Sequence, residues 1–270
     1  MRKDDLSSSG HIDPLAVVHP AAKLGAGVRI GPFCTVGEGA VLGAGVVLES
    51  HVVVDGSTSL GAGSTVGPFT VLGGPPQHLR YQGEPTRLEI GENVMIREQV
   101  SIHRGTEFGG GVTRIGDGSI VMAAAHIGHD CQIGEAVIVA SNASLAGHVS
   151  VGDRAFIGGL AGIHQFCRIG SRAIVGGCAA VSRDVIPYAS AFGNHAKLEG
   201  LNIIGLKRGG ASRETISALQ TAFHAIFEAE DGSFAERVAA AGQAHKDVPE
   251  VMEIIDFLTA DRDRPILGTK

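Results

Sequence analysis

The chain has 270 residues, a formal net charge of -6, 40 glycines, no tryptophan and four scattered cysteines without CxxC spacing. The negative balance argues against general nucleic-acid binding, and no apolar run approaches the roughly 18 residues that span a bilayer, so no stable membrane insertion is expected. Buried thiols in a reducing compartment, together with a polar start (MRKDDLSSSGHIDP) lacking an apolar signal core, point to a cytoplasmic protein.

Residues 1–11 read as a flexible lead-in. From Ile12 an apolar residue then recurs every six: Ile12, Val18, Leu24, Ile30, Val36, Leu42, Leu48, Val54, Leu60, Val66 and Leu72. Gly often follows it, and four residues on stands a small or β-branched residue such as Cys34, Val46, Val52, Ser64 or Thr70. This period is neither that of a helix nor that of a plain strand. A fixed repeat signals a solenoid, here a three-sided coil with one short strand and one corner per hexad. Three hexads close a turn, so residues 18 apart should stack in parallel strands roughly 4.8 Å apart.

Two stretches break the rhythm. The first lies near 74–89 and contains three prolines, and the pattern returns in phase at Ile90, Ile96 and Ile102. The second lies near 103–114 and shifts the phase by one, after which the pattern runs unbroken from Ile115 to Val181. Both should loop out of the coil, and long loops in a repeat fold are commonly functional. The coil domain is therefore expected over 12–187, ending at Pro187, with a connector and α-helical domain over 188–270. Three helices are expected there. The first is capped by Ser212, the second runs from Ser233 to about His245, and the third opens on the Asp247–Glu250 capping-box pattern. They should cover the open end of the coil, with a frayed tail after Ala260.

The 18-residue period also sorts the polar residues. His129, Gly147 and Gln165 fall in one column, and Asp130, His148 and Phe166 in the next. His126 and His164 flank them, so one edge gathers four histidines, Asp130 and Gln165. Histidine suits proton transfer near neutral pH. Asp130 can orient His129, and the Gly147 N–H can face a developing oxyanion, an arrangement that fits acyl transfer to a hydroxyl. Two alternatives stand beside this reading: solvent-facing decoration, and a zinc site made by His126, His129 and His148.

The phrases HVVVDG, YQGEPTR, SIHRGT, AHIGHDC, ASLAGHVSV, GIHQFCRIG, GGCAAVSRDVIPY, GNHA and GLKR resemble the UDP-N-acetylglucosamine O-acyltransferase family of lipid A biosynthesis. The resemblance runs from about Ile12 to the C-terminus. It implies a left-handed parallel β-helix of hexapeptide repeats followed by a small α-helical domain, assembled as a homotrimer, with no cofactor and no metal. The implied reaction moves a 3-hydroxyacyl chain from acyl carrier protein to the 3-position of UDP-GlcNAc. A 3-amino sugar is kept as an alternative acceptor, and a zinc enzyme of the carbonic anhydrase type as a more distant one.

Carried over by motif, His129 is the general base, Asp130 its partner and Gly147 the oxyanion donor. His126, His148 and His164 shape the substrate sites, with Gln165 near the diphosphate. Asn202 meets the uracil and Arg208 the phosphates, while Gly177 and His195 line the acyl channel. Four positions depart from the family pattern: His78 for Asp and Arg80 for Lys in QHLRY, Gly209 for Arg in GLKRGG, and Ile204 for an acid. The acidic carrier protein would need a local basic patch, for which Arg168, Arg172, Lys207, Arg208 and Arg213 are candidates.

Overall fold

A computed structural model describes residues 10–260 and 264–269. Each expected apolar position lies in a short strand, from Ile12 in His11–Ile12 to Val181 in Ala180–Val181; it is the second residue in most, and the last of four at Leu60, Ile90 and Ile115. The strands fall into three parallel sheets visited in rotation, and partners away from the two insertions are 18 residues apart, as in Ile127↔Leu145↔Ile163. The result is a left-handed β-helix, against the usual right-handed crossover preference.

The core follows from the same count. The apolar residue of each hexad points inward, and so does the residue four further on: Cys34, Val46, Val52, Ser64 and Thr70 are all fully buried. The interior is thus a pile of Val, Ile, Leu and small residues with no room for Trp. Gly after the apolar residue allows neighbouring coils to touch. A Cβ on Gly31 would lie 2.6 Å from the Glu49 carbonyl oxygen. The residue three after the apolar one sits at the corner with left-handed φ, as in Asp130 (61°), His148 (60°) and Phe166 (68°). For non-Gly residues this conformation carries strain, and the corner hydrogen bonds hold it: the His148 N–H donates to the His129 carbonyl at 2.9 Å.

The insertions are shorter than the sequence suggests, because their ends belong to strands. The first loops out over 75–86, between the strands Val71–Gly74 and Arg87–Ile90. The second loops out over 104–111, between Ser101–His103 and Val112–Ile115, and holds one 3₁₀ turn, Glu107–Gly109. Leu60 still pairs with Ile90 across the first, and Ile96 with Val121 across the second.

The lead-in expected over 1–11 lies almost wholly outside the described residues, and His11 already belongs to the first strand. Pro187 does not end the sheets. Strand Ala189–Phe192 stacks on Ile174–Val175, and Lys197–Leu201 pairs antiparallel with it. A short helix, α1 (Ile203–Arg208), follows. Helix α2 (Arg213–Phe227) is capped by Ser212, and α3 (Phe234–Ala244) opens with a Ser233–Glu236 capping box. Helix α4 (Pro249–Thr259) differs from expectation: its N-cap is Val248, with Pro249 at the first helical position and no side-chain cap.

Helix α4 anchors the bundle to the last coils. Glu253 accepts hydrogen bonds from the Ser171 and Tyr188 hydroxyls. Arg168 pairs with buried Asp184 at 2.5 Å and lies over the Phe257 ring. Residues beyond the bundle also return to the coil, since Leu267 N–H donates to the Asp184 carbonyl and Leu198 N–H to that of Gly268. Described tail residues are therefore strapped down rather than frayed.

Candidate active site

The period places His129 and Gly147 one above the other on the edge between the second and third sheets. Asp130 takes the corner position beside His129, so adjacent residues can meet side by side. His129 Nδ1 donates to Asp130 Oδ2 at 2.7 Å, with both side chains nearly inaccessible. That bond leaves His129 Nε2 as the basic nitrogen. The ring lies flat against Gly147, where a Cβ would come within 2.5 Å of it, so no larger residue fits. The Gly147 N–H, in contrast to the corner N–H groups around it, has no hydrogen-bond acceptor among the described residues.

The second insertion holds the carboxylate. Thr106 gives its N–H to Asp130 Oδ1 at 2.8 Å and its hydroxyl to Oδ2 at 2.6 Å. Asp130 donates its own N–H to the Thr113 hydroxyl. Burial pushes the carboxyl pKa up, but the bonds from His129 and Thr106 and the neighbouring His148 outweigh it, leaving Asp130 below its ordinary value. It stays ionised and can stabilise an imidazolium on His129.

Around this dyad the histidines form a packed group. His148 stands edge-on to His129 with ring centres 5.0 Å apart, and stacks on Phe166 at 4.5 Å. Burial lowers its pKa, only partly offset by the Asp130 charge. His126 bonds Ser101 through Nδ1 at 2.8 Å and meets His103 edge-to-face. Burial depresses both, His103 to about 4, helped by its histidine neighbours. His129 thus sits among imidazoles held neutral at physiological pH.

The first insertion closes the group from the other side. His78 packs edge-on against His129 at 5.4 Å and, tilted, against Phe108 at 4.6 Å, and the Arg80 guanidinium lies over Phe108. Thr106, His103 and Phe108 have no role in the sequence reading, although the period held a signal for them. Asp130 minus 18 is Val112, so the second loop has to end one coil beneath the His129–Asp130 edge.

The remaining expected residues lie apart from the dyad. His164 is exposed and bonded to Arg264 at 2.7 Å, with Gln165 beside it. Together with Ser144, Ala146, Gly162, Ala180 and Ser182, His164 borders a shallow trough of about 330 Å³ on the second sheet. His195 occupies the exposed turn between the two antiparallel strands, which grips Ala180 through the Gly193 carbonyl and Ala196 N–H. Gly177 stacks on Gly159 at the opposite margin of that sheet.

Asn202 is engaged within the chain. Its oxygen caps α1 at the Gly205 N–H, and its nitrogen donates to the Arg172 carbonyl. Arg208 ends α1, near the third edge of the prism. The zinc grouping read from sequence does not assemble, since His126 turns to Ser101. His129, Asp130 and His148 do present ligand-type atoms within 4.8 Å, but a cation there would displace the His129 and Thr106 hydrogen bonds on Asp130.

A family model described as UDP N-acetylglucosamine O-acyltransferase, domain 2, matches residues 184–267, and one for bacterial transferase hexapeptide repeats matches 112–147. A curated acyl-[acyl-carrier-protein]–UDP-N-acetylglucosamine O-acyltransferase of Caulobacter vibrioides is 51% identical over 94% of this chain and 97% of its own length. The chain belongs to the UDP-N-acetylglucosamine O-acyltransferase family. The Rickettsia felis enzyme of the same name is 53% identical over 95% of this chain and 97% of its own. The solved acyltransferase of Moraxella catarrhalis superposes with a TM-score of 0.91 at 37% identity, covering 96% of this chain and 99% of that one.

Family membership gives the four departures a structural context. His78 and Arg80 join the Phe108 cluster. The space an Arg would need at position 209 is taken by the Arg172 guanidinium, 2.6 Å from a Cβ placed there. Ile204 is exposed on α1. Among the described residues no helix is long and apolar enough to cross a membrane.

Proposed function

We propose that this acyltransferase moves a 3-hydroxyacyl chain from acyl carrier protein to the 3-hydroxyl of UDP-GlcNAc, opening lipid A synthesis. The observation carrying this mechanism is the buried His129–Asp130 pair with Gly147 stacked on the His129 ring, its N–H without an acceptor among the described residues. His129 Nε2 takes the sugar hydroxyl proton as the oxygen attacks the thioester carbonyl. Asp130 stabilises the resulting imidazolium, and Gly147 N–H stabilises the oxyanion. Collapse of the tetrahedral intermediate expels the carrier thiolate. The imidazolium returns its proton to the sulfur, leaving an ester and a free carrier thiol.

The trough on the second sheet suits an extended acyl chain, because the outward-facing residues along it, Ser144, Gly162 and Ala180, are small. His195 and Gly177 flank its far end. We infer a homotrimer from the unequal faces of the prism. The outer face of the third sheet bears Arg87, Glu89 and Arg114, whereas that of the first bears Val47, Met95, Ile138 and Phe156. Arg208 and His129 lie on different edges of one chain, so a nucleotide sugar would bridge two copies.

Carrier docking falls to Arg172, Lys207, Arg208 and Arg213, because Arg168 is committed to Asp184 and Phe257. With these substrates the reaction belongs in the cytoplasm. A transfer assay with UDP-GlcNAc and a panel of 3-hydroxyacyl carrier proteins tests the reading. One acyl length should give ester product and free carrier thiol in equal amounts; no product with any donor would sink it.

A further inference from the structure

His78 stands where the family pattern has an aspartate, and the structure fixes its chemistry. Its Nδ1 accepts the backbone N–H of Arg80 at 3.2 Å. A backbone N–H can only donate, so Nδ1 carries the lone pair, and the ring proton is on Nε2. The ring packs tilted against Phe108 and edge-on against His129. The Arg80 guanidinium lies 4.6 Å from the Phe108 ring centre. The wall beside the base therefore offers an N–H donor and a cation where a carboxylate would offer acceptors.

We propose that His78 is a specificity-determining residue that favours a hydroxyl over an amine at the acylated position of the sugar. This rests on the acyl-transfer reading above. A hydroxyl fits both neighbours, giving its proton to His129 Nε2 and a lone pair to His78 Nε2–H. An ammonium group has three donors and no lone pair, so it meets a donor and the Arg80 charge. Asp130, the carboxylate bonded to His129, does not receive it. Asp130 is taken by His129 and Thr106, and Glu84 turns back to the Gln82 N–H at 2.9 Å. The amine has to enter deprotonated, and the loss of its proton adds to the barrier. Phe108 is a positioning residue here, since its ring fixes the orientation of His78.

The test is a ratio: kcat/KM for UDP-GlcNAc over kcat/KM for its 3-amino analogue, with one 3-hydroxyacyl carrier protein as donor. Wild-type enzyme should favour the hydroxyl sugar by about 10-fold or more, the range that a mismatched polar contact produces. His78→Asp should lower the ratio at least ~10-fold, His78→Asn should keep the hydroxyl preference through its side-chain N–H, and Phe108→Ala should lower it in part. The ratio does not depend on the folded fraction, so partial misfolding of a variant leaves it readable. A wild-type preference for the amine, or an unchanged ratio in His78→Asp, overturns the proposal. Failure of wild-type enzyme to acylate either sugar instead removes the acyl-transfer reading itself.

Discussion

At the scale of single residues, the dyad sets the strongest expectations. His129→Ala should leave a folded coil and reduce turnover at least ~10²-fold, the scale of a lost general base; near-normal kcat in that variant would remove the mechanism. Position 147 is restricted by contact rather than by backbone conformation, because a Cβ there meets the His129 ring. His103 gives a stability prediction. In the unfolded chain it binds a proton below about 6.5, but in the fold only near 4. Between those values the unfolded state holds more protons, so stability falls as pH falls. Asp130, depressed in the fold, acts in the same direction at lower pH. Thermal midpoints measured from pH 7 down to 4.5 should decline less steeply in His103→Gln than in wild type; parallel curves would show that His103 does not carry the slope. His129, Asp130 and Gly147 were legible in sequence because the period alone places them. For Thr106 and Phe108 the period fixed only where their loop ends, one coil below Asp130; which side chain lands where depends on how a non-repeating loop folds back.

At the scale of elements, the hexad count identified every coil strand, because inward burial at two positions per hexad is the only pattern the narrow core accepts. The two antiparallel strands and α1 escaped it, as they follow no hexad and are held by contacts with the last coil. The α4 cap was misplaced because Pro249 sets the helix start without a side-chain acceptor. The first insertion is exactly dispensable in register terms: removing residues 75–86 brings Leu72 and Ile90 to six apart, while Leu60 and Ile90 already pair. That deletion should therefore give a cooperatively folding coil by circular dichroism, with acyl transfer reduced at least ~10-fold through loss of the wall over His129. Full activity would show that the loop has no part in the site.

At the scale of the whole molecule, the proposed trimer makes a prediction about mass and activity together. The protein should run as a particle of three 27.7 kDa chains in light scattering. A charge placed on the apolar first face, such as Phe156→Glu, should lower that mass and the activity in step, although Phe156 is remote from His129 within one chain. A monomer with full turnover would contradict the shared site. The sequence revealed the coil axis through its inward positions; the outward apolar column Met95, Ile120, Ile138, Phe156 and Ile174 stacks in the same register, but a count of inward residues does not read it.

The corner register has one last consequence. Stacking in units of 18 residues graduates the coil axis in steps of roughly 4.8 Å, so the spacing between a loop and the base is quantised. Duplicating one full turn between Ile115 and Val121 would keep every inward position in phase. His129 and Asp130, being neighbours in the chain, would remain paired. Thr106 would sit one graduation too low to reach the carboxylate, and the bonds it now makes would be lost. A solenoid of this kind can change its catalytic geometry only in whole notches, with nothing in between.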